Sequence, residues 1–254
     1  GLEVWTKANI MQLHRKRLAD IGLTMTDRVY LAMRDQIVGL ELEPLSMISE
    51  KRISEEMGVS RTPVREALAR LAAHNLVDIY PQRGTFVSPF RRPDLERSQF
   101  LREALEVALV QRVIELPDRA ELVKRLRAEV ELQETFASIL DEQRFFQSDE
   151  DFHRLISNYA GLPGLWEEIQ RSKVHMDRCR HLALASVEKD IKAITTQHIA
   201  IVDAVEAGDA VAAPAAMSIH LRRIFNTVDK VMELNPQYFE GKFPNQTATH
   251  GNAK

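Results

Sequence analysis

Four side chains in the second half of the sequence have the types and spacing of a metal site. Asp149 and His153 are four residues apart, so on a helix they lie on the same face, one turn apart, as a chelating pair. His198 and His220 lie on later helical segments, and an antiparallel bundle can bring all of them to one centre. Three imidazoles and a carboxylate suit a divalent transition metal, zinc first, with nickel, manganese or iron as alternatives. Octahedral geometry would leave positions open for water or an oxygen ligand.

The spacing alone leaves other interpretations open. An aspartate and a histidine four residues apart often form a surface hydrogen bond, and single histidines are usually core or surface residues. A competing metal pair also exists, because His175 and Cys179 stand four residues apart as well. From spacing, the sequence offers two candidate pairs and an interpretation without a metal.

A second group of residues has the chemistry for reading DNA. A turn at Gly58 and Val59 precedes a helix that places Arg61, Thr62 and Arg65 on its outward face. When the first turns of such a helix enter the major groove, an arginine can bridge the O6 and N7 atoms of guanine. A threonine there can hydrogen-bond to a base or a phosphate. Arg61 and Arg65 are therefore predicted to read bases.

The helices that would hold these side chains follow from the surrounding pattern. The apolar periodicity predicts a leading helix over residues 26–38 with Thr26 as its cap. A short helix over residues 49–57 begins at Ser49, which can cap its first turn, and ends at Gly58. Ser60 is placed to cap the helix that carries the arginines.

A hairpin is predicted directly after that helix. Residues 76–80 and 85–88 alternate like two strands around residues 81–84, which place Arg83 at the exposed tip. Such a hairpin is a wing for phosphate or minor-groove contact. The order of helix, turn, helix and hairpin predicts a winged helix-turn-helix.

The rest of the chain is predicted to be helical. Residues 89–93 contain two prolines and two arginines and form a stiff, basic linker. Six helices joined by short loops should form an antiparallel bundle, whose interior can hold metals and small ligands. The fold class is mainly α, an N-terminal winged helix-turn-helix followed by an antiparallel all-α bundle of about six helices. Proline, glycine and polar residues, with caps at Ser186 and Asp209, mark off these helices at about residues 94–116, 117–140, 144–159, 163–185, 186–207 and 209–234.

Composition agrees with two modules. The chain has 254 residues, 44% of them apolar, enough to bury a core in one or two domains. Residues 1–92 carry a net charge of +3 and the remainder −6, so the basic excess lies on the DNA-reading part. The domains are predicted as a loose extension (1–24), a winged domain (25–88), a linker (89–93), a helical domain (94–234) and a loose tail (235–254).

The sequence also bears on location. Cys179 is the only cysteine, and there is neither a run of 18 apolar residues nor a secretion signal at the N-terminus. These observations predict a cytoplasmic, disulfide-free protein with no membrane partner.

The string GVSRTPVREAL at residues 58–68, followed by GTFV at residues 84–87, strongly resembles the winged helix-turn-helix of the GntR family of bacterial transcription regulators. The family often has glycine where this chain has Asn75, which can also adopt the left-handed conformation that ends a helix. The resemblance implies DNA contacts from Lys51, Ser60, Arg61, Thr62, Arg65, Arg83 and Gly84.

The second half is similar to the ligand-binding domain of the FadR subfamily of GntR regulators. The resemblance rests on DxxFHRxI from residue 149, HIxI from residue 198, GD at residue 208 and HL at residue 220. In metal-containing members an aspartate and three histidines at these places are the ligands, which implies Asp149, His153, His198 and His220 here. His175 and Cys179 match no ligand of that pattern. Six discernible helices look like the shorter, VanR-type domain.

The same resemblance implies an effector. Such domains commonly bind small organic acids whose carboxylate completes the metal shell, often with help from an arginine. Arg102, in the segment LREALE, matches the arginine that begins the family's first bundle helix, and Arg178 and Arg180 are further candidates. The alternative for all three is a helix-surface ion pair, such as Arg102 with Glu106 at a spacing of four.

The predicted function is that of a homodimeric, metabolite-responsive repressor rather than an enzyme. A dimer's two-fold symmetry matches the inverted half-sites of double-stranded operator DNA, while the bundle senses an acid. One alternative is a metal-dependent hydrolase acting on nucleic acid or an ester, although the carboxylates nearest Asp149 point to other helix faces. In another alternative the metal is purely structural.

Overall fold

The computed structural model describes residues 22–184 and 191–239. These residues fall into two compact units. One unit contains residues 22–90 and 237–239, and the other contains residues 91–184 and 191–236.

The first unit combines three helices with a small sheet. The three strands are antiparallel in the order β1-β3-β2, with Val77 opposite Val87 and Tyr80 opposite Gly84 across the hairpin. The apolar faces of α1 and α3 pack on each other through Val29, Ile37, Leu68 and other buried residues, and α3 also packs on β2. In chain order the elements are α1 (Met25–Val38), β1 (Met47–Ile48), α2 (Glu50–Met57), α3 (Arg61–Ala73), β2 (Val77–Tyr80) and β3 (Gly84–Val87).

Local sequence chemistry explains where the helices of this unit begin and end. Helix α1 is capped by Thr24, which forms a reciprocal capping box with Asp27, and not by Thr26 as the periodicity predicts. Ser49 caps α2 as predicted, and Gly58 ends it in the left-handed conformation at φ +66°. Ser60 stands at the first position before α3, but its hydroxyl makes no capping hydrogen bond.

Part of the predicted loose tail is packed. Residues Pro236–Tyr238 form a 3-10 helix, and the carbonyl of Tyr238 accepts a hydrogen bond of 2.8 Å from the amide of Phe90. Phe239 stacks on Phe90 with ring centroids 5.1 Å apart. These aromatic contacts hold the chain against the first unit as far as residue 239; residues 1–21 and 240–254 lie outside the described part.

The second unit is entirely helical in its described residues. The six predicted segments are present, but two of them are each broken in two, at Lys173 and at Arg223, and the predicted cap Ser186 lies outside the described residues. The helices are α4 (Arg92–Ile114), α5 (Arg119–Ser138), α6 (Glu142–Tyr159), α7 (Leu165–Ser172), α8 (Val174–Leu184), α9 (Ile191–Ala207), α10 (Ala212–Arg222) and α11 (Ile224–Leu234).

The core of this unit lies where α4, α5, α6, α9 and α10 meet. Neighbouring pairs are α5 with α6, α4 with α10, and α9 with both α5 and α10. Leu122, Phe152, Val202 and Met217 are among the buried residues of one continuous apolar cluster. Burial of this cluster fixes the rotation of each helix, so the polar residues that share its inner face are directed into the same interior. Among residues 22–184 and 191–239, no helix combines the length and the apolar character needed to cross a membrane.

Candidate metal centre and DNA-reading surface

The four predicted metal ligands lie together inside the second unit. Asp149 and His153 come from α6, His198 from α9 and His220 from α10, with one ligand atom of each within 4.8 Å of all the others. The Nε2 atom of His220 is 3.1 Å from that of His153 and 3.2 Å from that of His198. The Oδ1 atom of Asp149 is 3.5 Å from Nε2 of His198. The side chains therefore converge on one point from three helices.

Each imidazole is oriented by an acceptor at its other nitrogen. The Nδ1 atom of His153 contacts Oε2 of Glu106 on α4. That of His198 lies 2.7 Å from Oε1 of Gln133 on α5. That of His220 lies 3.2 Å from Oε1 of Gln197 on α9. These oxygens favour the tautomer with the proton on Nδ1, in which the lone pair of Nε2 is directed into the centre.

The carboxylate ligand has an outer partner too. Arg180 on α8 donates a hydrogen bond of 3.1 Å to Oδ2 of Asp149, the oxygen that does not face the histidines, and lies 3.5 Å from Glu150. Burial by itself would raise the pKa of Asp149, but Arg180 and the imidazoles hold that pKa below the usual aspartate value. Asp149 is therefore ionised and turns one free oxygen to the centre.

Burial keeps His198 and His220 in the form that binds metals. Asp149, His153, His198 and His220 are only 3%, 2%, 0% and 8% exposed. Burial lowers the pKa of His198 to about 3 and, with help from His198 and His153, lowers that of His220 well below the usual histidine value. Neutral imidazole is the form whose lone pair a metal needs.

The geometry fits a divalent metal. Two ligands that each bind one metal at about 2.1 Å are separated by roughly 3.0–3.4 Å, and the Nε2 to Nε2 distances here are 3.1 and 3.2 Å. With the protons on Nδ1, these contacts would set lone pair against lone pair, which a cation between them relieves. Imidazole nitrogens with one carboxylate suit zinc, nickel, manganese or iron.

The competing pair does not join a comparable cluster. Within the described part of the chain, the Asp149 group is the one set of three or more histidine, cysteine or acidic side chains close enough to share an ion. His175 and Cys179 are both buried on α8, and burial raises the pKa of the Cys179 thiol to about 12. A metal binds the thiolate, which this environment disfavours.

The three arginines proposed from the sequence have different surroundings. Arg102 is buried, and its Nε donates a hydrogen bond of 2.6 Å to Glu106, so the ion pair weighed above does form, in the interior. Arg180, which the sequence offers with Arg178 as a weaker candidate than Arg102, lies beside Asp149 with 19% of its side chain exposed. Arg178 is fully buried, and two positions along a helix direct it to nearly the opposite side from Arg180.

The predicted DNA-reading residues of the helix pair are exposed on the first unit. Arg61 and Thr62 form the first turn of α3 with exposed side chains, as does Ser60 before it. Arg65 is exposed as well, with its Nε bonded at 2.9 Å to Glu50 on α2. Lys51 is exposed on α2 and lies 3.8 Å from Glu55. The side chains of Arg61 and Arg65 are thus exposed, and Arg65 would have to exchange Glu50 for a guanine.

The wing is present as predicted. Arg83 lies exposed in the loop between β2 and β3, after Gln82 in the left-handed conformation at φ +61°. Gly84 opens β3 at φ +112°, and a Cβ there would stand 2.9 Å from the Met47 side chain. The positive φ therefore favours glycine at this position, whatever its contact with DNA, whereas the exposed end of the Met47 side chain can move aside.

Comparisons with known proteins agree with this architecture. The profile described as bacterial regulatory proteins, gntR family, matches residues 25–87, and the profile of the FCD domain matches residues 99–223. A protein of Streptomyces ambofaciens, named an uncharacterized HTH-type transcriptional regulator in unstable DNA locus, is 36% identical over 86% of this chain and 91% of its own length. The chain belongs to the GntR family. It is a DNA-binding transcriptional regulator with an FCD-type second domain.

Two further proteins are similar to this GntR regulator, one in sequence and one in fold. The HTH-type transcriptional repressor RspR of Escherichia coli strain K12 is 29% identical, covering 85% of this chain and 93% of the repressor. The solved structure of E. coli McbR/YncC superposes with a TM-score of 0.65 at 20% identity, over 82% of this chain and 98% of that one, which shows the shared fold. These relatives are named as transcriptional regulators and not as enzymes, which favours a regulator over the hydrolase alternative.

Sequence reasoning missed the outer partners of the metal ligands. Glu106 drew notice only as an ion-pair partner of Arg102, and Gln133 and Gln197 drew none. Gln133 is 65 residues from His198 in sequence, and nothing in its local pattern marks such a contact. The sequence could have indicated these residues only by their position, because a polar residue on the apolar face of a helix is buried and needs a hydrogen-bond partner.

Proposed function

We propose that this GntR regulator is a metal-dependent sensor of a small carboxylic acid that represses transcription as a homodimer. A divalent metal, zinc first, binds Asp149, His153, His198 and His220. The acid's carboxylate completes the metal shell and changes the affinity of the winged domain for operator DNA. In the absence of a suitable acid the protein occupies its operator.

The observation that carries the proposal is the convergence of the three Nε2 atoms and Oδ1 of Asp149. Each of the four side chains is also held from behind, by Glu106, Gln133, Gln197 or Arg180. A buried cluster of lone pairs that is oriented on every side costs free energy unless a cation occupies it. Such a ligand set supports a metal and leaves room in its coordination number for an oxygen ligand.

Arginine chemistry supports an acid as the sensed molecule. Arg180 lies beside Asp149 and is partly exposed, so its guanidinium can meet an anion that approaches the metal. Arg102 is a deeper candidate for the same role and is almost fully buried. Arg178, on nearly the opposite side of α8 from Arg180, is the least favoured of the three. A carboxylate would satisfy a metal position and a guanidinium together, which an uncharged molecule of the same size would not.

The winged domain supplies the output. Arg61 and Arg65 are proposed to bridge guanines, with Thr62 at a base or phosphate; Lys51, Ser60, Arg83 and Gly84 are proposed to hold the DNA backbone or the minor groove. A homodimer would present two such surfaces to a pseudo-palindromic operator. The acid must bind more tightly to one of two arrangements, because equal affinity for both would change nothing.

A second candidate, a purely structural metal, is favoured by the enclosure of the cluster. All four proposed ligands are at most 8% exposed, and ring stacking of Phe152 on His198 at 4.1 Å closes one side of the cluster. In that case the metal would stabilise the bundle without admitting an acid.

The test uses operator DNA selected from a random pool by the zinc-loaded protein. Binding is followed by fluorescence anisotropy at constant salt, with a panel of small carboxylic acids, before and after chelation of the metal. We expect at least one acid to weaken operator binding only when the metal is present. If every saturating acid leaves operator affinity unchanged while chelation lowers the melting temperature, the structural alternative holds.

A further inference from the structure

Glu106 contacts two side chains, the guanidinium of Arg102 and the imidazole of His153, which lie on different sides of it. Its Oε1 accepts a hydrogen bond of 2.6 Å from Nε of Arg102, one turn earlier on α4, and its Oε2 contacts Nδ1 of His153 on α6. All three side chains are buried. The three side chains form a continuous path of polar contacts from α4 to the centre of the histidine cluster.

We propose that Glu106 is the positioning residue of the metal centre and that Arg102 acts through it. Glu106 fixes the tautomer and the ring direction of His153, so that Nε2 points to the metal, and Arg102 holds Glu106 in place. This inference rests on the proposed metal site. It assigns a role to two residues that are not themselves ligands.

The charge of Glu106 distinguishes His153 from the other two histidines. Gln133 and Gln197 offer neutral amide oxygens to His198 and His220. A carboxylate acceptor polarises the imidazole more strongly and makes its Nε2 a better donor to a metal. Asp149 and Glu106 together place two negative charges near a divalent cation, one in contact with it and one behind a ligand.

The burial of the ion pair between Arg102 and Glu106 also needs an explanation. Two charges taken out of water cost free energy that a single ion pair rarely returns, and an apolar pair of similar volume packs as well or better. Arg102 and Glu106 are nevertheless 3% exposed each. A metal that needs an oriented histidine supplies the reason, because Glu106 can serve it only if a cation such as Arg102 compensates its charge.

The experiment compares two isosteric changes on the same helix. Glu106→Gln removes the buried charge, and Glu103→Gln is the matched control. Glu103 bonds to Arg222 and Ser218, which lie two residues from His220 and so on nearly the opposite side of α10. The zinc Kd of each purified full-length protein is measured by competition with a chelator of known affinity. The visible absorption of the cobalt-loaded proteins reports the metal's surroundings, and circular dichroism reports folding.

We expect Glu106→Gln to raise the zinc Kd roughly 10- to 100-fold and to shift the cobalt bands, because loss of an outer hydrogen-bond partner typically has that effect. Glu103→Gln should leave both unchanged. A wild-type Kd and cobalt spectrum in Glu106→Gln would overturn the inference even if its melting temperature falls. Failure of the wild type itself to bind zinc or any other first-row divalent metal would overturn the proposed metal site and this inference with it.

A second comparison tests whether Arg102 acts through Glu106 and guards against misfolding. Glu106→Gln leaves Arg102 without its carboxylate, so the double variant with Arg102→Met removes one charge of each sign and leaves the net charge of the interior as it is in the wild type. If Arg102 only positions Glu106, adding Arg102→Met to Glu106→Gln should weaken zinc binding no further. An additional loss of zinc affinity in the double variant, with the fold intact, would show that Arg102 acts by another route.

Discussion

At the scale of single residues, the orientation of the imidazoles matters more than their presence. His198 stacks on Phe152, bonds to Gln133 and brings Nε2 within 3.2 Å of His220. The sequence alone identifies the four ligand types through an i, i+4 pair and a family resemblance. It does not reveal Gln133, Gln197 or Glu106, because their contacts join helices that are distant in sequence.

Removal of one ligand should separate metal binding from folding. We expect His198→Ala to abolish stoichiometric zinc binding, because it deletes one of three imidazoles and leaves a buried gap beside Phe152. His181→Ala is the control, since His181 is exposed on α8. Zinc content and the zinc-dependent rise in melting temperature are the readouts. Equal zinc content in the two variants would contradict the assignment of His198.

Substitutions of base-reading residues and of phosphate-binding residues should have different effects on operator DNA and random DNA. Arg61→Ala and Arg65→Ala should each cost about 1–3 kcal/mol of operator binding and little on random DNA, since a bidentate contact to guanine carries discrimination. Lys51→Ala should weaken both DNAs alike and reduce the salt dependence. Anisotropy titrations on the two DNAs at several salt concentrations check this. Equal losses on both DNAs from the arginine variants would argue against base contacts.

At the scale of elements, the sequence predicts the ends of a helix where a single residue determines the local backbone conformation, as a capping serine or a left-handed glycine does. Helix α2 begins after Ser49 and ends at Gly58, as predicted, and Asn75 after α3 has the left-handed φ of +56°. The breaks at Lys173 and Arg223 were not readable, because no proline or glycine marks them. Lys173 is buried against Glu150 and Asp177 at 2.8 and 2.7 Å, so tertiary ion pairs accompany the first break. The two-residue strand β1 is too short to show alternation.

The turn of the helix-turn-helix offers a test of this local argument. Gly58 has φ +66°, and a Cβ there would meet nothing within 4 Å, so the cost of Gly58→Ala is backbone strain alone, about 1–2 kcal/mol. Gly58→Asn should cost less, because asparagine adopts the left-handed conformation more readily. Chemical unfolding of both variants measures the difference. Equal destabilisation would mean that strain at φ does not govern this turn.

At the scale of the whole molecule, the charged interior links stability to pH. Burial lowers the pKa of His198 to about 3 and that of His220 well below the value of an exposed histidine, near 6.5. Between about pH 6.5 and 3 the unfolded chain therefore binds more protons than the folded one, and the free energy of unfolding falls as the pH falls. Arg102 and His153 outweigh burial and lower the pKa of Glu106 to about 2, which adds a loss of stability below about pH 4.5.

We accordingly expect the metal-free protein to be less stable at about pH 5 than at about pH 7. Urea unfolding in the presence of a chelator measures this. His198→Gln should show a shallower dependence, because one group that resists protonation is gone. Stability that is constant or rises between those pH values on acidification would contradict neutral, buried histidines.

Family resemblance and pattern together predict the winged helix-turn-helix and the helical bundle, and the family matches confirm that architecture.

The central functional claim is that a small carboxylic acid binds to this protein through a metal held by Asp149, His153, His198 and His220. The most direct measurement is a thermal-shift screen of the zinc-loaded protein against small carboxylic acids, repeated after chelation. An acid at about 100 times its Kd stabilises the protein by about 2.7 kcal/mol, an easily measured shift. The account predicts at least one acid whose shift disappears with the metal; acids that stabilise equally without the metal, or none that stabilise with it, would contradict it.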